Sequence, residues 1–162
     1  MFIGCTSLIH APKLPSTTLG PECYMNMFNK CSSLTTAPEL PATTLTSRCY
    51  TGMFNGCSSL TIAPELPATE LTEYCYRYMF ANTGLIKAPE LLADQLVADC
   101  YAYMFYNCTK LNYIKALFIT TPSSTYTNNW VTGVSSTGTF IKNINATWNV
   151  TGIYGIPTGW TV

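Results

Sequence analysis

The chain has 162 residues, eight of them basic and eight acidic, and only 10% of its positions are charged. That balance argues against nucleic acid or an anionic membrane as partner, since both recruit clustered Lys and Arg. No stretch nears the ~20 apolar residues of a membrane span, and no charged-then-apolar leader is present, so an export signal is expected outside this chain.

Read in order, the chain repeats itself. Met-Phe pairs fall at Met1-Phe2, Met27-Phe28, Met53-Phe54, Met79-Phe80 and Met104-Phe105, at steps of 26, 26, 26 and 25 residues. Four full units and a partial fifth, ending near Leu117, follow from this register. After each Met-Phe pair comes a punctuation residue (Gly4, Lys30, Gly56, Asn82, Asn107); four of the five suit a left-handed helix C-cap, and Lys30 does not. A short strand is expected next, as in "SLTTA" or "SLTIA", stopped by Pro12, Pro38, Pro64 and Pro89, which have no N–H to pair. Thr17, Thr43, Thr69 and Asp94 then share a column and suit helix N-caps. Apolar residues at helical spacing follow them, such as Leu45, Cys49 and Met53.

One such unit cannot bury its own apolar side, so neighbours are expected to stack and join Leu8, Leu34, Leu60, Leu85 and Leu111 into one ladder. The expected fold is an α/β repeat solenoid over residues 1–117, with short parallel strands on one side and short helices on the other. The first unit lacks a preceding helix, which predicts either missing upstream repeats or self-association through an open N-terminal rung.

Eight cysteines form two columns: Cys5, Cys31, Cys57 and Cys108, then Cys23, Cys49, Cys75 and Cys100. Across a helical segment Cys49 and Cys57 would stand ~12 Å apart, too far for a disulfide. Thr83 interrupts the first column with no matching loss in the second, and no close Cys pair suggests zinc. Free thiols packed as small apolar groups are the expectation, with inter-rung disulfides the main alternative.

From Phe118 the pattern fades and cysteine disappears. Residues 118–162 read as a β-rich C-terminal cap over the last rung. A small sugar-binding module using Trp130, Trp148, Trp160 and Tyr154 is the sharper alternative.

Catalytic signals are sparse. His10 is the only histidine, and no phosphate loop, nucleophile elbow or His-rich metal motif appears, so the chain reads as non-enzymatic and without a cofactor. Glu39, Glu65 and Glu90 form an acidic column headed by Lys13; it reads as a solvent-facing turn, with Ca²⁺ or a cationic partner as the alternative. His10, Thr36, Ile62, Lys87 and Tyr113 share a strand-face column whose diversity suits solvent-facing positions free of packing demands and, equally well, a surface that reads a partner.

The phrase "MFNGCSSL" resembles the BspA-like leucine-rich repeats of bacterial surface proteins. The match runs through Phe2-Cys5-Leu8, Phe28-Cys31-Leu34, Phe54-Cys57-Leu60 and Phe105-Cys108-Leu111, and is imperfect at Phe80-Thr83-Leu85. The resemblance implies a cell-surface or secreted scaffold that binds host, matrix or microbial proteins. A spacer or assembly module of a larger surface or phage-tail protein is the alternative. Neither identifies a ligand or transfers a functional residue.

Overall fold

The computed structural model describes residues 1–162 and contains two short strands and no helix. β1 (Tyr113–Ala116) and β2 (Thr139–Lys142) pair in parallel in one sheet. Of 73 backbone–backbone hydrogen bonds, 70 lie outside these strands, so turns and rung-to-rung bonds build the molecule. This overturns the expected α/β solenoid of leucine-rich-repeat type, its helical side and its β-rich cap. The 26-residue units do stack, but each rung is built differently.

The predicted helix is a ribbon of consecutive β-turns. In the rung from Arg48 to Cys57, the N–H groups of Cys49, Thr51, Met53, Asn55 and Cys57 each donate to the carbonyl three residues back. The N–H groups of Arg48, Tyr50, Gly52, Phe54 and Gly56 donate instead to Glu73, Cys75, Arg77, Met79 and Ala81 of the next rung. Alternate donors thus close turns and join neighbours, and no donor in the ribbon is orphaned. A helix would spend its interior N–H groups internally and leave no main chain to link the stack.

The ribbon requires a left-handed residue at every fourth position. Arg48, Gly52 and Gly56 have φ of 56°, 62° and 79°, and Tyr74, Tyr78 and Asn82 repeat this at 60°, 55° and 58°. Lys30, the misfit as a helix cap, is left-handed like the rest of its column, at 61°. Each non-glycine residue there costs roughly 1–2 kcal/mol; the two hydrogen-bond systems and the core offset it. Thr17, Thr43, Thr69 and Asp94 have no helix to cap.

The strand side is nearly as sparse. Isolated parallel bridges join His10 to Thr36, Ile62 to Lys87 and Lys87 to Tyr113. Two residues beyond the bridge position, Pro12, Pro38, Pro64 and Pro89 remove the next donor, so pairing stops at one residue. Lys115 stands at that place in the fifth rung, and there the ladder runs on for four residues as β1.

Packing is like on like. Phe2, Phe28, Phe54, Phe80 and Phe105 form a column of stacked rings with centroids 5.5, 5.7, 5.6 and 6.1 Å apart. Tyr24, Tyr50, Tyr76 and Tyr101 form a second at 5.8, 5.9 and 6.0 Å. Such pairs add about 0.5–1.5 kcal/mol each beyond the area they bury. The first cysteine column also links rungs: the thiols of Cys31, Cys57 and Cys108 donate to the Phe2, Phe28 and Phe80 carbonyls at 3.0, 3.1 and 2.9 Å. In the short fourth rung Thr83 Oγ1 donates instead to its own rung's Phe80 carbonyl at 2.8 Å. The missing residue falls at Gly84, where a Cβ would lie 2.5 Å from the Ser58 carbonyl oxygen.

Past residue 117 the backbone keeps the rung register. Tyr103, Phe105 and Asn107 donate to Asn128, Trp130 and Thr132, and Asn129 and Gly133 take the left-handed positions. The parallel ring columns end here. Trp130 packs edge-on to Phe118 (63°) and Phe140 (81°), and Phe140 edge-on to Trp148 (74°), plugging the end of the core.

Candidate binding surface

The strand-face column is largely assembled as an outward-facing row. His10 Nδ1 lies 3.3 Å from Thr36 Oγ1, and the Lys87 ammonium sits 4.8 Å from the centre of the Tyr113 ring. Ile62, between them in the chain, is 77% exposed. Its rung and the next form a groove of about 760 Å³ lined by Ile62, Pro64, Ile86, Lys87, Pro89 and Leu92, together with Glu65 and Glu90. The groove therefore gathers two of the five strand-face positions and two of the three acidic ones. Ile86, half exposed and also lining the groove, belongs to no column noticed in the sequence.

The acidic column does not close on itself. Glu90 accepts a 2.9 Å hydrogen bond from Lys115 Nζ, and Glu39 stays in solvent. No group of three or more His, Cys, Asp or Glu side chains converges as a metal site. His10 is exposed, and its one side-chain bond is to Thr36, not to Cys5.

All eight cysteines are free thiols; Cys5 and Cys23 are exposed and the other six buried. Burial pushes Cys49 up to about 11 and Cys57 and Cys100 up to about 12, and Cys75 and Cys108 also rise. These thiols stay protonated and poorly nucleophilic at neutral pH. A thiol reagent on the native, unreduced protein should label Cys5 and Cys23 quickly and the other six only after unfolding. Fewer than eight labelled thiols in denaturant would mean that bridges exist.

The three tryptophans offer no stacking platform for sugars. All are buried, and each indole N–H donates to a backbone carbonyl: Trp130 to Gly155 at 3.0 Å, Trp148 to Phe118 at 3.2 Å, Trp160 to Ser135 at 2.8 Å. One signal for this was present, since Trp130 follows Met104 by one 26-residue step.

No helix is long and apolar enough to cross a membrane. Comparison with protein-family models, curated proteins and solved structures found no match.

Proposed function

We propose that this chain is a non-catalytic protein-binding scaffold of adhesion type, working at the cell surface or after secretion, with the groove between the third and fourth rungs as its contact. The observation that carries the reading is Ile62. It stands 77% exposed on the wall of an apolar groove, although the same rung buries Leu60 and Leu66. Aliphatic groups left in water beside the charged Glu65, Lys87 and Glu90 have the make-up of a recognition patch. The likeness to BspA-like surface proteins supports a host or matrix protein as the partner.

The test is retention on a panel of immobilised extracellular-matrix proteins, with wild type beside Ile62→Glu. A charge at the centre of an apolar contact should weaken retention by about tenfold or more. The side chain is exposed, so the thermal midpoint should hardly move. Retention by no member of the panel, or equal retention of both chains, would overturn the reading.

A further inference from the structure

A second pocket lies on the turn ribbon, away from the strand-face groove. It measures about 340 Å³ and is lined by Asn26, Thr51, Gly52, Asn55, Arg77 and Tyr78. Its chemistry is one-sided. The Arg77 guanidinium has no ion pair; the molecule's two ion pairs are Arg48–Glu22 and Lys115–Glu90. Arg77 Nε is buried and finds no acceptor. Two rings hold the guanidinium in place, its centre lying 5.6 Å from the Tyr74 ring centre and 5.4 Å from that of Tyr78. Tyr78 is itself braced by Tyr103 at 4.5 Å.

The neighbouring amides present donors as well. Asn26 Oδ1 is taken by Asn29 Nδ2, and Asn55 Oδ1 by Asn82 Nδ2, both at 3.0 Å. The Nδ2 groups of Asn26 and Asn55 donate to no protein atom. Thr51 Oγ1 is committed to the Tyr74 carbonyl. Gly52 lets the Asn26 carboxamide pack directly over the backbone, since a Cβ there would run into it. A fixed guanidinium flanked by free amide donors, with no carboxylate beside it, calls for an oxygen-rich anion. A single cation balances a single negative charge, and its planar fork matches a carboxylate.

We propose that this pocket binds a sugar acid, its carboxylate on Arg77 and its ring oxygens or hydroxyls on the Asn26 and Asn55 amides. The inference does not depend on the strand-face reading, since it uses a different surface and a different ligand.

The experiment is titration of the full chain with D-glucuronate, followed by amide chemical shifts. D-glucose, acetate and inorganic phosphate run alongside as separate probes. Millimolar glucuronate should move the Gly52, Asn55 and Arg77 amides and weaken with added salt. Acetate and phosphate should bind at least about tenfold more weakly, glucose should not bind measurably, and Arg77→Gln should lower glucuronate affinity by about tenfold or more. Shifts absent at millimolar glucuronate, glucose matching glucuronate, or acetate or phosphate matching it would overturn the proposal. So would an Arg77→Gln chain that binds unchanged. The wild-type shift map and salt dependence decide the matter without the variant, should it fold poorly.

Discussion

Phe54→Ala is expected to lower the unfolding free energy by about 3–5 kcal/mol. Phe54 is fully buried between Phe28 at 5.7 Å and Phe80 at 5.6 Å, so its removal opens a cavity and ends two ring contacts at once. In a stack each rung touches only its neighbours, so the loss weakens the packing of the third rung against both the second and the fourth. Phe2→Ala removes one contact from a ring that is only partly buried, and should cost less than half as much. Denaturant titration of the two variants measures the difference. Equal losses would mean that the column does not carry the stability.

Raising the pH above about 9 should weaken the fold through its buried thiols. In the folded chain Cys49 is held up to about 11 and Cys57 and Cys100 up to about 12, against an ordinary thiol value of 9.0. Unfolded thiols therefore release their protons first as pH climbs through 9.0, while the folded ones keep theirs. The contribution is fully present below that value and is lost as pH rises toward the folded values. Each such thiol removes on the order of 1 kcal/mol by about pH 10. Cys75 adds to this, and the buried tyrosines Tyr50, Tyr76 and Tyr101, also shifted upward by burial, add more at higher pH. The unfolding free energy from urea titration should fall by several kcal/mol between neutral pH and about pH 10 under reducing conditions. A flat profile across that interval would show that the thiols are not buried in the folded chain.

Much of the packing was legible because stacking copies sequence period into space. Phe28, Phe54 and Phe80, aligned by spacing alone, lie ring on ring. The rung itself was misread for a physical reason. A turn ribbon with a left-handed residue every four positions buries Cys49, Met53 and Cys57 on one line and Tyr50 and Phe54 on another. Over two or three turns that spacing cannot be told from a helix at 3.6 residues per turn. The discriminating signal was Gly52, four residues before the punctuation at Gly56 and so inside a supposed helix, with Asn26 in the same place before Lys30. Glycine in a helix interior is costly, and here it marks a required backbone shape. The tail hid its register because Trp130 and Val131 replace the Met-Phe pair and Val134 replaces the cysteine. At the candidate surfaces, Ile62 and Lys87 could be placed from their column. The pocket at Arg77 could not, because it depends on a glycine in one rung facing an arginine in the next.

The alternation of donors in the ribbon makes it a frame-sensitive segment. One residue inserted between Arg48 and Cys57 would swap every turn-closing amide with every cross-linking one, and would turn the phenylalanine and tyrosine columns outward. Even two would move the left-handed sites onto the wrong side chains, so length changes there are tolerable only in fours. The arc outside the ribbon has no such parity, and the chain's one-residue deletion, at Gly84, falls there. Lengthening or shortening of this molecule is therefore confined to that arc, or to whole rungs.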